Sequence, residues 1–358
     1  MHAVRAKKSS EADRVAAARE ALLGWYALGA RALPWRAAGT TPWATWVSEV
    51  MLQQTRVETV VPYFARFLAR FPTPRALAEA TEPEVLGHWA GLGYYRRARL
   101  LQAGARAVCE RHGGEVPRGA EALRGLPGVG PYTAGAIASI AFGERAPLVD
   151  GNVERVLSRL FGVAGDPRAG AAKKRLWALA AAFADHPDAG AVNQSLMELG
   201  ATACAPTSPR CLTCPVRSMC HAAAEGDPER YPEKPAKRAP REEDWTAFVG
   251  LYDGRALLVP SARGRWEGML VPALSAGAPD PAALGSLGGA VTDHGEVVHV
   301  LTHARMRIRV LSATLDAAPT AGTLVALDAL AGLAVPKVTL RVLSAVRANA
   351  GAPPRRAR

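Results

Sequence analysis

Apolar positions over the first 224 residues recur at helical spacing, and none of that stretch alternates convincingly as a strand would. The pattern predicts an amphipathic helix over Glu11–Ala27, closed by a turn through Arg31-Ala-Leu-Pro-Trp-Arg36. A longer helix is expected over Trp43–Val61, where Trp46, Val50, Gln53 and Val57 share a face. Helices over Tyr63–Arg70, Pro74–Ala80, Pro83–Trp89 and Arg96–Glu110 follow, and later ones over Val153–Leu160, Ala171–Phe183 and Asn193–Ala203. From Glu225 to Asp244 the chain turns to proline and charge, a linker composition. Beyond it the period becomes two. Thr246–Leu251 and Ala256–Pro260 flank the hairpin signal Asp253-Gly254, and Glu296–Leu301 and Met306–Leu311 read as two more strands. Pro336–Asn349 reads as a closing helix with Val338, Val342 and Val346 on one face, and no internal repeat is evident.

Between the helices one stretch carries special chemistry, Leu126-Pro-Gly-Val-Gly-Pro-Tyr-Thr-Ala-Gly135, followed after one helix by Pro147-Leu-Val-Asp-Gly-Asn152. Gly128 and Gly130 fall where one helix must turn into the next, and Pro131 suits a first helical position. In such a helix-hairpin-helix the N–H groups from Gly128 to Tyr132 face outward at the positive end of a helix dipole, so a phosphate oxygen is their natural acceptor. An isolated Pro-Gly-x-Gly is more often an ordinary turn, and the rest of the chain decides between the two. The formal charge is +12. Up to residue 240 there are 31 Lys and Arg against 22 Asp and Glu, and after it 13 against 10, so the basic excess is mainly N-terminal. That balance favours a polyanionic partner, although an arginine-rich composition alone is a weak signal. With 358 residues, 49% of them hydrophobic, the chain can form two or three cores. It has no membrane-like span and no apolar signal core near Met1, so a cytoplasmic protein is expected.

Four of the five cysteines crowd into one run. Cys204, Cys211, Cys214 and Cys220 follow C-x6-C-x2-C-x5-C, close enough to direct four thiolates at one centre. Without a secretory signal, a metal is the better reason for the cluster than disulfides. Structural zinc sites usually use two C-x2-C knuckles and only Cys211 and Cys214 form one, so an iron–sulfur group is favoured over zinc. Cys109 belongs to no pattern and reads as a small buried hydrophobe. Glu49, flanked by Val47, Val50, Met51 and Leu52, is a candidate for a desolvated carboxyl whose pKa rises toward neutrality, as a general acid needs. A helical Glu more often faces solvent. Tyr94 and Tyr95, beside Arg96, Arg97, Arg99 and Arg106, suit a surface that stacks bases and neutralises phosphates, or else simply core.

The hairpin, the aspartate about twenty residues after Gly-Val-Gly and the cysteine spacing together resemble the endonuclease III-like superfamily of DNA glycosylases. Within it, Trp46-Val-Ser-Glu-Val-Met-Leu-Gln-Gln-Thr55, Gly91-Leu-Gly-Tyr-Tyr95, the 126–135 stretch and Leu148-Val-Asp-Gly-Asn-Val153 resemble the adenine DNA glycosylase (MutY) family. The resemblance covers residues 20–224 closely. It reaches the C-terminal part loosely, through Trp266-Glu-Gly-Met-Leu-Val-Pro272 and the Leu301–His303 segment. It implies a multi-domain chain with an all-α helix-hairpin-helix glycosylase core at 9–224, made of a six-helix barrel near 36–147 and an iron–sulfur module at 9–35 and 148–224. A linker at 225–244, a C-terminal α+β Nudix-like lesion-recognition domain at 245–350 and a tail at 351–358 would complete it.

The same resemblance implies the chemistry. Bifunctional relatives carry a lysine at the start of the second hairpin helix, whose amine attacks the sugar. Here that position is Tyr132, and no lysine occurs from Ser9 to Ala172. A monofunctional glycosylase follows, which would flip out adenine opposite 8-oxoguanine or guanine in double-stranded DNA and leave an abasic site. Glu49 would deliver a proton to adenine N7 and Asp150 would stabilise the oxocarbenium ion, with Tyr132 and Asn152 positioning the two carboxyls. Arg31, Leu33, Trp35 and Gln194 would line the adenine pocket. Gln54, Thr55, Leu92 and Tyr94 would contact DNA along with Gly128 and Gly130, and Thr302 and His303 would read the lesion. Leu301 stands where many relatives have Phe. Beyond residue 244 only Glu267 and Glu296 remain as glutamates, too few for a Nudix metal helix, so that domain should bind rather than hydrolyse. The resemblance also implies one [4Fe-4S] cluster on the four cysteines and a monomer. The alternatives are an endonuclease III-type glycosylase/lyase acting on oxidised pyrimidines, and a DNA-binding module without activity.

Overall fold

A computed structural model describes residues 10–233, 239–262, 264–277, 290–301, 303–330 and 333–348. The chain divides into two compact units, Met1–Glu79 with Leu100–Ala236, and Ala80–Arg99 with Lys237–Arg358. No helix among the described residues is long and apolar enough to cross a membrane.

The first unit is helical. Its helices are α1 (Glu11–Gly29), α2 (Pro42–Leu52), α3 (Val57–Arg70) and α4 (Pro74–Glu79). After α5 (Glu82–Trp89), which belongs to the second unit, α6 (Arg96–Arg111) belongs to the first from Leu100 onward. It is followed by α7 (Ala120–Arg124), α8 (Pro131–Ala136), α9 (Gly151–Phe161), α10 (Gly170–Ala184), α11 (Ala189–Thr202) and α12 (His221–Glu225). One core gathers Val15, Ala18 and Leu22 of α1 with Val153, Val156 and Leu160 of α9. Leu176 and Phe183 of α10 and Val192, Leu196 and Leu199 of α11 complete it, each large side chain contributing about 1.5–3 kcal/mol on burial. A second cluster is aromatic. Trp43 and Trp46 meet edge to face at 5.7 Å, and the Trp43 indole N–H donates to the Phe71 carbonyl at 3.0 Å.

The single helix expected over 43–61 is two helices. α2 stops at Leu52 because Gln54 takes a left-handed conformation (φ +57°), and α3 starts at Val57 and carries Pro62 in its interior. The expected break at Pro62 is absent since the ring costs only one helical hydrogen bond there, while the strong hydrophobic face of α3 holds the helix together.

The hairpin joins α7 to α8. Gly128 has φ +77°, and a Cβ there would lie 2.7 Å from Leu100 Cβ, so both backbone conformation and space demand glycine. The expectation that every N–H from Gly128 to Tyr132 faces outward needs correcting, because the Val129 N–H donates to the Leu126 carbonyl within the turn. α8 runs on into one π turn, Ile137–Ala141. Gly135 packs so closely on the segment leading to Asp150 that a Cβ would run into the Pro147 carbonyl.

The second unit holds a mixed seven-stranded sheet made of β1 (Arg241–Tyr252), β2 (Arg255–Pro260), β3 (Leu270–Val271), β4 (Ala273–Ala276), β5 (Thr292–Val300), β6 (Ala304–Thr314) and β7 (Thr323–Ala326). Its order is β3-β2-β1-β6-β5, with β4 on β1 and β7 on β2. β1 and β6 run parallel, Phe248 opposite Leu311. The first strand begins at Arg241, inside the expected 225–244 linker, because residues 241–244 find a ready ladder on Ala304–Arg307. β3, β4 and β7 were not anticipated and are too short to show a period. Along β6, Ala304, Met306, Ile308 and Val310 are buried while Arg305, Arg307 and Arg309 face out, the last two bound to Asp244 and Asp293. A closing helix, Lys337–Ala348, lays Val338, Val342 and Val346 on the sheet.

Gly135→Ala should destabilise the fold by about 3 kcal/mol through overpacking. Gly130→Ala, at an ordinary φ with open space around it, should cost under about 1 kcal/mol, both read by urea unfolding.

Candidate active site

A cavity of about 660 Å³ opens in the helical unit where α2, α8, α9 and α11 converge. Glu49 points into it from α2 and is 5% exposed. The Tyr132 hydroxyl, from the second position of α8, donates to Glu49 Oε2 and also touches Met197 Sδ at 3.7 Å. Burial pushes the Glu49 carboxyl up to about 7. The Tyr132 hydrogen bond opposes that rise, the Asp150 charge adds to it and Arg36 opposes it.

Asp150 faces the same cavity as the N-cap of α9. It accepts the backbone N–H groups of Val153 (2.7 Å) and Asn152 (3.0 Å) and the Asn152 amide (2.9 Å). Burial raises its pKa, and those three bonds together with Arg155 oppose the rise. Three donors and a helix dipole favour the ionised form at Asp150, against a single hydroxyl at Glu49. Hydrogen bonding thus favours the carboxylate more at Asp150 than at Glu49.

Several residues that fix this geometry were missed in the sequence. Arg155 donates to Asn152 Oδ1 (2.9 Å), to the Gly200 carbonyl (2.7 Å) and to the Cys204 carbonyl (2.7 Å), so it ties Asn152 to α11 and to the cysteine loop. Glu198 of α11, its side chain 1% exposed, takes both arms of Arg31 (2.7 and 2.9 Å) and one of Arg36 (2.9 Å). Arg155 lies one helical turn from Asn152 and was findable by spacing. The Arg31 to Glu198 pairing spans 167 positions and was not.

Arg31, Leu33, Trp35 and Gln194 line the cavity, and the Tyr26 hydroxyl donates to the Gln194 side-chain oxygen at 3.2 Å. Gln54 and Thr55 line its rim. Leu92 and Tyr94 belong to the other unit and are not among the cavity residues. There Tyr94 is exposed at φ +49°, with the Arg97 guanidinium 5.4 Å over its ring and donating to the Leu92 and Gly93 carbonyls. His303 is exposed and its carbonyl accepts the Arg241 N–H, while Thr302 lies outside the described residues.

Cys204, Cys211, Cys214 and Cys220 are free thiols bordering one small cavity with Arg159, Arg210 and Arg217. Arg159 donates to Cys204 Sγ at 3.4 Å and to the Ala205 and Pro206 carbonyls. Burial pushes the Cys214 thiol up to about 11. Among the described residues no three His, Cys, Asp or Glu side chains are drawn together tightly enough to grip a single ion.

Residues 47–182 match the family model described as HhH-GPD superfamily base excision DNA repair protein. The adenine DNA glycosylase of Rattus norvegicus is 38% identical over 88% of this chain and 73% of that protein. That of Homo sapiens is 49% identical over 60% of this chain and 41% of its own length. Among solved structures, a thermostable thymine-DNA glycosylase superposes with a TM-score of 0.55 at 29% identity, over 60% of this chain and 98% of its own. An endonuclease III–DNA complex shares the fold, with a TM-score of 0.51 at 22% identity over 61% and 99% of the two chains.

A carboxyl whose folded pKa (about 7) exceeds its ordinary 4.5 holds a proton that the unfolded chain releases, so its stabilising effect is complete below pH 4.5 and lost as pH rises through 7. Between pH 5 and 8 the wild type should lose about 3 kcal/mol more stability than Glu49→Gln, measured by denaturant titration at both pH values.

Proposed function

The chain belongs to the adenine DNA glycosylase family and is an N-glycosylase of base excision repair that removes adenine, and we propose that its substrate is double-stranded DNA holding adenine opposite 8-oxoguanine or guanine. The observation that carries the mechanism is the pair of buried carboxyls in one cavity, Glu49 bonded by the Tyr132 hydroxyl with its pKa pushed up to about 7, and Asp150 held by three donors at the head of α9.

The target adenine must leave the stack, since its glycosidic bond is shielded inside a duplex. A cavity of about 660 Å³ has room for a purine and its sugar. Trp35 and Leu33 offer apolar walls, and Gln194 and Arg31, both held by other side chains, offer polar contacts to the base edge. Glu49 gives its proton to adenine N7, which turns the base into a better leaving group as the C1′–N9 bond breaks. Positive charge then grows on the sugar, and Asp150 stabilises it or traps it covalently. The Glu49 carboxylate next accepts a proton from the attacking water. Tyr132 orients Glu49, and Asn152, held by Arg155, orients Asp150. With Tyr132 at the head of α8 and no lysine from Ser9 to Ala172, no Schiff base forms and an abasic site is the product. Gln54, Thr55, Leu92, Tyr94 and the Gly128–Gly130 turn make the DNA contacts. The sheet unit is a Nudix-like reader of the opposite base through Thr302 and His303, and the protein acts as a monomer.

One [4Fe-4S] cluster is assigned to the four cysteines. The donor set fits it: four soft sulfurs border one cavity, backed by a buried arginine, with a single C-x2-C knuckle. When bound, the cluster would cross-link the 204–220 loop, on which Arg210 and Arg217 are exposed. Arg159 and Arg155 anchor that loop through the Cys204 and Ala205 carbonyls.

Incubation with a duplex holding adenine opposite 8-oxoguanine, followed by alkali, should reveal strand breaks at the adenine. Glu49→Gln should slow release by roughly 10²- to 10⁴-fold while leaving DNA binding intact. The wild-type rate should fall as pH rises through about 7, because the protonated carboxyl is the active form. A borohydride-trapped covalent adduct formed at the wild-type rate would instead identify a lyase. For the cluster, purified protein should be brown and contain iron and sulfide, and zinc in a colourless protein would contradict the assignment.

A further inference from the structure

Gln53, the C-cap of the acid helix, stands four positions after Glu49. Each meets a consecutive residue of the hairpin helix. The Tyr132 hydroxyl donates to Glu49, and the Gln53 amide donates to Thr133 Oγ1 at 3.3 Å. A single contact between two helices leaves them free to roll and slide about it, whereas two contacts one turn apart fix both movements. Thr133 is 2% exposed, while Gln53 lies at the cavity wall as the C-cap that follows α2. Gln53 is followed at once by Gln54, in its left-handed conformation, and its own carbonyl accepts the Thr55 hydroxyl at 3.4 Å. The Gln53 side chain therefore ties the end of the acid helix to the helix that begins at the Gly128–Gly130 turn, while its backbone carbonyl holds the turn that carries Gln54 and Thr55.

We infer that Gln53 is a positioning residue, whose bond to Thr133 holds the hairpin helix at the roll and register that seat the Tyr132 hydroxyl on Glu49. It touches neither base nor sugar in this role. It sets the distance between acid and hydroxyl and couples the grip on the DNA backbone to the geometry of proton delivery. This inference rests on the proposed glycosylase reading.

The test is single-turnover adenine release from the adenine:8-oxoguanine duplex, with affinity measured separately on a duplex carrying a non-hydrolysable adenine analogue. Gln53→Ala and Thr133→Val should each slow release roughly 10- to 100-fold, the size expected when a reacting group is misplaced by about an ångström, with affinity nearly unchanged. The double variant should be no slower than the slower single one, since both remove the same bond. Thr133→Ser, which keeps the hydroxyl, should retain the wild-type rate. Thermal unfolding of each variant gives the folded fraction at the assay temperature. A rate loss that merely tracks that fraction, effects that multiply in the double variant, or a loss confined to affinity would each overturn the inference. If the wild type itself releases no adenine, the glycosylase reading fails and takes the inference with it. An active wild type with independent Gln53 and Thr133 effects sinks only the inference.

Discussion

The contact between the Tyr132 hydroxyl and Glu49 joins α2 to α8 where a buried carboxyl meets a hydroxyl donor. A carboxyl taken out of water must be neutralised or strongly bonded. At Glu49 burial outweighs the Tyr132 hydroxyl and the Arg36 charge, and its pKa rises to about 7. Everything around it serves that compromise. The tight turn at Gly128 aims α8, the bare Gly135 lets α8 lie flat on the Pro147–Asp150 segment, and the aromatic cluster of Trp43 and Trp46 anchors α2 from behind. Replacing the tyrosine at this position with a lysine would put an amine beside the sugar and a cation beside the acid. It would alter both the nucleophile and the acid's pKa, so this one position links the type of reaction to the electrostatics that drives it.

Asp150 is handled in the opposite way. Two backbone N–H groups and a fixed amide receive it at the mouth of a helix, and Arg155 supplies charge one shell behind. The same arginine reaches the Cys204 carbonyl, so the cysteine loop and the carboxylate share a support. A change in that loop has a direct route to Asn152. Two carboxyls in one cavity with different numbers of donors is how a single fold keeps an acid and an anion side by side.

Much of this was readable in the chain. The apolar residues around Glu49, the Pro-Gly-Val-Gly turn and the Asp-Gly-Asn run after Pro147-Leu-Val are local signals, and the fold brings Glu49, Tyr132, Asp150 and Asn152 to one cavity. The helix boundary at Gln53–Arg56 was missed because Pro62 is a louder local breaker than Gln54, and α3 tolerated it through its buried face. The outward aim of the Val129 N–H was wrong since a turn closes on its own carbonyl first. Glu198 could not be found because its partners sit on a loop more than 160 positions earlier, and an acid in α11 has no local feature that marks it as buried. β3, β4 and β7 exist only because β1 and β2 offer them edges. Their own few residues carry no period.

The central claim is that Glu49 holds its proton at neutral pH while Asp150 has lost its own. It is tested most directly by carboxyl ¹³C chemical shifts of the free enzyme followed through a pH titration, with assignments made by the signals lost in Glu49→Gln and Asp150→Asn. The expected result is a Glu49 midpoint near 7, above that of Asp150. A Glu49 midpoint close to the ordinary 4.5, or an Asp150 that holds its proton longer than Glu49 does, would contradict it.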